Sequence, residues 1–357
     1  MDTFKILQSL TEIPGPSGYE EKIAEAIQEW WQPYVDEFKR DRVGNLMGLK
    51  KGSGAGKRPT ILLAAHMDEI ALMVSQIESY NGNGFLRVTN VGGVDVRHLY
   101  GQLVTVHGRS NLRGVLGSLP GSMLPEDKQN KPFGFEELVV DVGLPMAEVE
   151  AQISVGDFVS FHQPLRKLQN GRVAGKSLDN RASVTAVTLC LEYLQGRNHS
   201  WDVLAVATVQ EETRLLGAFT SAHSQQPDAA IAIDVTFGNG PGANDTNTFE
   251  LGSGPALDIG PNVHNGMYQA LKDTADGLEM NVSVGTHTRG SGTDAFGLQV
   301  ARAGIPTGLI SIPLRYMHTM VESIAIKDVE RAGRLMGEFI AQLDDDFLTN
   351  LAAGLMD

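Results

Sequence analysis

A chain of 357 residues is long for one compact core, which favours a large domain plus a second domain or an insertion. Its formal charge of −14, without a long run of Lys or Arg, argues against nucleic acid and anionic membranes as partners, because both require basic surfaces. The single cysteine, Cys190, excludes an intrachain disulfide. The sequence contains no run of about 18 apolar residues, the length that a membrane span requires, and no signal peptide is evident. We therefore expect a cytoplasmic protein.

The N-terminal part predicts two helices, a hairpin and a buried strand. Apolar residues at helical spacing lie on both sides of the turn "PGPSG" and predict one helix before it and one after it. The segment "VDEFKRDRVGNLMGLKKG" predicts a hairpin with Gly44 in its turn region. Residues 59–65 then predict an apolar strand.

Between about Ile77 and Phe161 the chain consists of short β-branched segments separated by Gly, Pro and Asn. This pattern predicts a small all-β barrel inserted into the chain. We place the insertion at residues 73–164, between the two parts of the larger domain, 1–72 and 165–357.

The second half alternates helical and strand patterns. A strongly apolar helix is predicted from Arg181 to about Leu194, followed by the strands "DVLAVATV" and "AAIAIDV" with a helix between them. Such alternation predicts an α/β fold with a doubly wound, mostly parallel sheet covered by helices on both faces. Ligands bind at the carboxyl ends of the strands in such sheets.

Histidines and acids stand where the predicted core strands end. They are His66 with Asp68, the pair Glu211 and Glu212, Asp234, and His318, while Asp179 lies just before a helix. Two histidines and several carboxylates meeting at one sheet edge suit a pair of divalent ions, with Zn, Co and Mn as candidates. Two such ions need a bridging carboxylate and a shared water, and a remaining free carboxylate would serve as base.

Each of these residues also has a structural interpretation. Asp179 taken alone is more typical of a helix N-cap, and His66 alone of a buried, hydrogen-bonded histidine. Adjacent acids such as Glu211 and Glu212 usually form a solvated turn. Asp294, at another predicted helix start, could cap that helix or face the cleft, and we interpret it as a cap.

Six segments together resemble a known family. They are "HMDEIALMV", "GKSLDNRASV", "VQEETRLLGA", "AIDVTFGNGPG", "LGSGPALDIGPN" and "SGTDAFGLQVARAGIPTGLISIPLRYMHTMVE". In this order they resemble the motifs of the dinuclear glutamyl, lysyl and deblocking aminopeptidases, family forty-two of the metallopeptidases. Its members often assemble as tetrahedral (TET) particles, and some have carried a cellulase or endoglucanase label. The resemblance implies a phosphorylase/hydrolase-like zinc-peptidase domain with an inserted PDZ-like dimerisation barrel.

The resemblance also implies two divalent ions per subunit, zinc or cobalt with manganese as a third candidate. The implied ligands are His66 and Asp234 on one ion, Glu212 and His318 on the other, and Asp179 bridging both. Glu211 resembles the general base that takes a proton from the attacking water and hands it to the leaving amine. Asp68 resembles the residue that orients His66, whereas Glu69 is expected to support the junction with the barrel.

The implied activity is removal of N-terminal residues from peptides by a homo-oligomer, with dimers assembling into a tetrahedral dodecamer. The alternatives are a dinuclear amidohydrolase or carboxypeptidase acting on N-acyl amino acids, and a catalytically silent scaffold of the same fold. The chain departs from the family pattern at Arg214, where a small residue is usual, and at Thr319 and Met320, and these three positions are expected to affect the substrate pocket.

Overall fold

The computed structural model describes residues 1–54, 56–127, 129, 134–243 and 247–353. A mixed α/β domain is interrupted by a closed six-stranded antiparallel barrel, which confirms the predicted fold class. The domain limits at residues 72/73 and 164/165 stay a prediction. No helix in these ranges is long and apolar enough to cross a membrane.

The strands are numbered in chain order. They are β1 (Glu37–Arg40), β2 (Leu46–Lys50), β3 (Thr60–His66), β4 (Ala71–Tyr80), β5 (Asn83–Val91), β6 (Leu103–His107), β7 (Asn111–Gly117), β8 (Val139–Pro145), β9 (Phe158–Phe161), β10 (Arg166–Lys167), β11 (Arg172–Gly175), β12 (Asp202–Thr208), β13 (Ala229–Phe237), β14 (Ala256–Ile259), β15 (Ser283–Thr286), β16 (Thr307–Arg315) and β17 (Glu322–Ala325).

The helices are numbered in the same way. They are α1 (Thr3–Thr11), α2 (Glu21–Trp31), α3 (Met146–Gln152), α4 (Leu178–Tyr193), α5 (Glu211–Arg214), α6 (Leu216–Gln225), α7 (Asn265–Gly277), α8 (Asp294–Gln299), α9 (Ile326–Gln342) and α10 (Phe347–Ala353).

The main sheet has the strand order β1-β2-β12-β3-β13-β16-β17-β11-β10, and β14 joins it beside β16 with β15 on its other side. The central strands β12, β3, β13 and β16 are parallel. Strand β3, with the sequence TILLAAH, is buried from its second residue onward. A continuous apolar run is typical of a parallel strand that is covered on both faces.

Helices cover both faces of this sheet. One apolar cluster contains residues of α1, α2, α4, α7 and α9, and a second, on the other face, contains residues of α6 and α8. Helix α4 is buried almost all round, because it lies beneath the sheet and beside α9. The two helix layers fix the sheet, so the carboxyl ends of its parallel strands form a rigid edge.

The barrel closes in the order β4-β5-β8-β7-β6-β9 and has its own apolar cluster. Met320, from the loop after β16, is 2% exposed and belongs to this cluster. This position therefore packs the barrel against the α/β domain.

Candidate active site

The parallel strands bring the predicted residues to one edge of the sheet. His66 ends β3 and is paired in register with Thr208, the last residue of β12. Asp234 lies in β13, two residues beyond Ala232, which pairs with Ala64 of β3. Glu211 and Glu212 follow β12 after two residues, and His318 follows β16 by three.

Asp179 lies at the centre of this group. Its Oδ1 is 3.1 Å from Nε2 of His66, and its Oδ2 is 3.3 Å from Nε2 of His318. The backbone of Asp179 is not helical, and the N-cap position of α4 belongs to Ser177. The N-cap interpretation of Asp179 is therefore wrong, because its carboxylate faces the two imidazoles instead of the helix N-terminus.

The other carboxylates surround the same two histidines. One group that could hold a cation comprises His66, Glu211 and Asp234, and a second comprises His66, Asp179 and Glu212, with ligand atoms within 4.8 Å of one another in each. Nε2 of His318 lies 3.4 Å from Oε2 of Glu212. All five residues with an expected ligand role thus meet at one place, together with Glu211.

Asp68 is fully buried and contacts more than His66. Its Oδ1 is 3.4 Å from Nδ1 of His66, and its backbone carbonyl is 3.2 Å from the same nitrogen. Its carboxylate also accepts hydrogen bonds from the backbone N–H groups of Glu211 at 3.0 Å and Glu212 at 3.2 Å, and from the Ser17 hydroxyl. Asp68 therefore links the end of β3 to the turn that carries both glutamates.

Glu322 was missed by the sequence reasoning. It is 2% exposed, and its carboxylate accepts hydrogen bonds from the backbone N–H of Asp179 at 3.0 Å and of His318 at 2.9 Å. The signal in the sequence was an acidic residue four positions after His318, in "HTMVES".

Glu69 is buried and lies two residues before β4, the first strand of the barrel. Its carboxylate accepts hydrogen bonds from the backbone N–H of Gly15 at 2.9 Å, from Nζ of Lys176 at 2.5 Å and from the Ser177 hydroxyl. These contacts fix the segment that leads into Asp179, and the expected support of the barrel junction stays a prediction.

Asp294 does not cap its helix. The cap of α8 is Thr293, whose hydroxyl accepts from the N–H of Ala295, and Asp294 accepts a hydrogen bond from Thr208. Burial raises the pKa of Asp294 to about 6. The interpretation of Asp294 as the cap is therefore wrong, because the preceding residue, Thr293, caps the helix.

Burial and mutual repulsion disfavour the charged form of three carboxyl groups in the cluster, those of Glu211, Glu212 and Asp234. Burial, reinforced by repulsion from Asp234, raises the pKa of Glu211 to about 10. Burial and repulsion from Asp179 raise the pKa of Glu212 to about 8, and burial also raises the pKa of Asp234. Burial alone would lower the pKa of His318, but its hydrogen bond with Asp179 and the charge of Glu212 raise it to about 9.

This donor set fits divalent cations. Imidazole nitrogens and carboxylate oxygens suit Zn, Co or Mn, and cations would supply the positive charge that these buried acids lack. The two oxygens of Asp179 face different histidines, which is the arrangement a bridging carboxylate requires.

The cluster lies in an open cleft of about 560 Å³. Among the three departures from the family pattern, Arg214 lines this cleft in the described structure, whereas Thr319 and Met320 do not. Thr319 is buried, and its hydroxyl donates to the carbonyl of Tyr316. Only the expectation for Arg214 agrees with its location.

A family model described as M42 glutamyl aminopeptidase matches residues 44–335. The chain belongs to the M42 family. It is therefore an aminopeptidase of a metallopeptidase family, and neither the amidohydrolase or carboxypeptidase alternative nor the silent scaffold is favoured.

Relatives with aminopeptidase or peptidase names align with almost the whole chain. A lysyl aminopeptidase from Pyrococcus furiosus is 33% identical over 348 residues, which are 96% of this chain and 98% of the relative. The crystal structure of a TET aminopeptidase from the marine sediment archaeon Thaumarchaeota archaeon SCGC AB-539-E09 has a TM-score of 0.91 at 31% identity, covering 98% of each chain. The TET1 peptidase of Pyrococcus horikoshii has a TM-score of 0.83 at 30% identity, covering 96% of this chain and 100% of that one.

Proposed function

We propose that this M42 aminopeptidase releases N-terminal residues from peptides in the cleft above the cluster, with two divalent metal ions as cofactors. The observation that carries the proposal is the position of Asp179, whose two carboxylate oxygens each approach a different histidine. A single carboxylate between two sets of ligands is what a dinuclear site needs.

We assign His66 and Asp234 to one ion and Glu212 and His318 to the other, with Asp179 shared. Zinc or cobalt is the proposed metal and manganese the third candidate, because nitrogen and oxygen ligands of this kind suit all three. When bound, the ions polarise the scissile carbonyl and increase the acidity of the attacking water.

Glu211 is the proposed general base. Its carboxylate lies 3.8 Å from Nε2 of His66, beside the cluster and on the wall of the cleft. Glu211 accepts a proton from water in its carboxylate form, which bound cations would favour by lowering its pKa. The same group then donates that proton to the leaving amine.

Asp68 is a positioning residue, because its carboxylate accepts hydrogen bonds from the backbone N–H groups of Glu211 and Glu212 and contacts the His66 ring.

The first test is metal depletion and reloading. The protein is treated with a chelator, dialysed, and reloaded with zinc, cobalt or manganese, and bound metal is counted by elemental analysis. We expect two ions per chain and metal-dependent cleavage of aminoacyl substrates, but not of N-acetylated or C-terminal reporter substrates. Absence of metal-dependent release from every aminoacyl substrate would contradict the proposed function.

The second test separates the base from the ligands. Glu211→Gln keeps the size of the side chain but removes the proton acceptor, so we expect kcat to fall about 10²–10⁴-fold while two ions still bind. The matched control is Glu25→Gln, on the exposed face of α2. Full activity of the Glu211→Gln variant would refute the assignment of the base.

We also propose that the chain forms a homo-oligomer in the cytoplasm. The TET1 peptidase of Pyrococcus horikoshii can assemble into a tetrahedron or a large octahedral shell. Two exposed apolar residues of the barrel, Leu103 and Val115, are cross-strand neighbours, and Leu119 and Met123 are exposed in the segment after β7. Exposed apolar neighbours of this kind suit an interaction surface. Its lone cysteine is buried, which suits a reducing compartment.

A further inference from the structure

Residues 15–20, which we call the strap, lie between α1 and α2 and contact the turn that follows β12. One end of the strap is fixed to Glu69, whose backbone N–H donates to the carbonyl of Gly15 at 3.0 Å and whose carboxylate accepts from the N–H of Gly15. Near the other end, the ring of Tyr19 packs against Phe158 of the barrel, with ring centroids 4.6 Å apart. The strap is therefore held on both sides by other parts of the chain.

Two side chains of the strap reach the residues around the metal cluster. Oε1 of Glu20, which is 6% exposed, accepts hydrogen bonds from the backbone N–H groups of Gly18 at 2.8 Å and Gln210 at 3.1 Å. The Ser17 hydroxyl donates to Oδ2 of Asp68 at 2.5 Å. The Glu20 side chain makes no capping hydrogen bond with α2, so its bond to Gln210 does not serve the start of that helix.

The glutamate turn, residues 210–212, presents three consecutive backbone N–H groups, and each of them donates to a buried carboxylate. The N–H of Gln210 donates to Glu20, and those of the two glutamates donate to Asp68. The first N–H groups of a helical turn have no partner within it, so their direction depends on the acceptors that surround them. The strap supplies one acceptor directly and contacts the other through Ser17.

Gln210 has a backbone conformation that needs support from outside. Its φ of 54° and ψ of 37° lie in the left-handed region, which residues other than glycine rarely adopt. Such a residue keeps this conformation only where the surrounding contacts determine it. The hydrogen bond with Glu20, 190 residues away, is a contact of this kind. Because Gln210 directly precedes Glu211, its backbone angles determine the direction of that side chain.

The geometry at Glu20 requires a hydrogen-bond acceptor but no charge. Both hydrogen bonds end on Oε1, and Oε2 has no hydrogen-bond partner among the described residues. Burial, with a smaller contribution from repulsion by Asp68, raises the pKa of Glu20 to about 7, although the hydrogen bond from Gly18 acts in the opposite direction. The carbonyl oxygen of a neutral carboxyl group or of an amide has two lone pairs and can accept the same two N–H groups.

We propose that Glu20 and Ser17 are positioning residues for the general base, because the strap holds the glutamate turn so that the Glu211 carboxylate faces the attacking water. Neither side chain is among the described residues that line the catalytic cleft. Their effect passes through the backbone of Gln210 and through the carboxylate of Asp68. This role rests on the proposed function of Glu211 as the base.

The kinetic test compares Glu20→Ala with Glu20→Gln in the metal-loaded protein. Alanine removes the acceptor for Gln210, so we expect kcat on an aminoacyl substrate to fall about 10–100-fold, because a small displacement of a catalytic group has an effect of this size. KM should change little and two ions should still bind, since no substrate contact and no ligand is removed. Glutamine keeps the carbonyl acceptor and should restore most of kcat. Glu25→Ala, at an exposed position of α2, is the matched control and should leave kcat unchanged.

Amide hydrogen exchange measures the turn without any substrate. We expect a peptide covering residues 209–214 to exchange faster in Glu20→Ala than in the unmodified protein, because the N–H of Gln210 loses its buried acceptor. Glu20→Gln and Glu25→Ala should exchange as the unmodified protein does. Ser17→Ala, which removes the donor to Asp68, should increase exchange in the same peptide by a smaller factor and lower kcat by less than about tenfold.

The outcomes separate this role from the function on which it rests. An unchanged kcat or an unchanged exchange rate in Glu20→Ala overturns the positioning role, and so does a loss of kcat in Glu20→Gln as large as that in Glu20→Ala. If Glu20→Ala does not fold, Ser17→Ala takes its place, and an unchanged kcat or exchange rate in that variant overturns the role. Inactivity of the unmodified protein on every aminoacyl substrate overturns the aminopeptidase function and, with it, the part of the strap in catalysis.

Discussion

Glu322 links two of the proposed metal ligands, Asp179 and His318, through hydrogen bonds with their backbone. Because its carboxylate accepts the N–H groups of both Asp179 and His318, a glutamine keeps one acceptor and turns an NH₂ group toward the other N–H. We expect Glu322→Gln to weaken metal binding about 10–100-fold, as loss of a partner behind a metal ligand commonly does. Competition with a chromophoric chelator measures this affinity.

Its control is Glu250→Gln, at an exposed glutamate in the loop between β13 and β14. The control should bind metal as the unmodified protein does. Equal metal affinity in both variants would show that Glu322 does not position the site.

Glu69 makes the stability of the fold depend on pH. Burial alone would raise its pKa, but the charges of Lys176 and Arg181 and the hydrogen bonds from Lys176 and Ser177 outweigh burial and lower it. A carboxyl group with a lowered pKa in the folded state stabilises that state above its unfolded pKa, and this contribution disappears as the pH falls through the folded pKa.

We therefore expect Glu69→Gln to reduce the free energy of unfolding by about 3 kcal/mol at pH 7, because Lys176 loses its buried partner. The difference from the unmodified protein should shrink below about pH 4.5. Denaturant unfolding at a series of pH values measures it. A difference that stays constant down to pH 3 would contradict the linkage.

At the level of elements, Gly217 sets the distance between α6 and the end of β12. A Cβ atom there would lie 2.4 Å from Oδ1 of Asn45 and 2.5 Å from the backbone N of Val209. Since Val209 lies two residues before Glu211, we expect Gly217→Ala to shift the glutamate turn, destabilise the fold by about 2 kcal/mol and lower kcat. Thermal unfolding and a kinetic assay measure the two effects.

The matched control is Gly277→Ala at the end of α7, where a Cβ atom would meet nothing within 4 Å. Alanine favours the helix, so we expect this variant to be as stable as the parent or slightly more so. Equal stability and activity of both alanine variants would refute the packing argument at Gly217.

Sequence patterns predicted the type of an element correctly where burial determines which residues it contains. Strands β3, β12, β13 and β16 are continuous apolar runs, and both their type and their shared edge follow from that pattern. The apolar helix was predicted from Arg181, and the continuous helical backbone of α4 begins there, because Asp179 and Asn180 within its bounds are not helical. The backbone N–H of Asp179 is instead bonded to Glu322, a contact that no local pattern predicts.

At the scale of the whole molecule, the cluster could be predicted because each of its residues stands beside a recognisable strand end or helix start. The groups that hold it could not, because they join segments far apart in the chain. Glu322 is 143 residues from Asp179, and Lys176 is 107 residues from Glu69. Such pairs leave no periodic signal, since only the folded topology brings them together.

The assembly of the molecule gives the final prediction. Leu103 and Val115 are cross-strand partners on the barrel and are 54% and 44% exposed, an apolar pair that a partner subunit would cover. A closed tetrahedral shell has twelve equivalent positions, so we expect a solution mass of about 460 kDa from chains of 38.5 kDa. Sedimentation or light scattering measures this mass.

Replacing both Leu103 and Val115 with Glu should produce smaller species, because burying two unpaired charges opposes association. The control Thr89→Glu, at an exposed position of β5, should leave the mass unchanged. A 38.5 kDa species for the unmodified protein would contradict the assembly, and an unchanged mass for the double variant would exclude this pair from the interface.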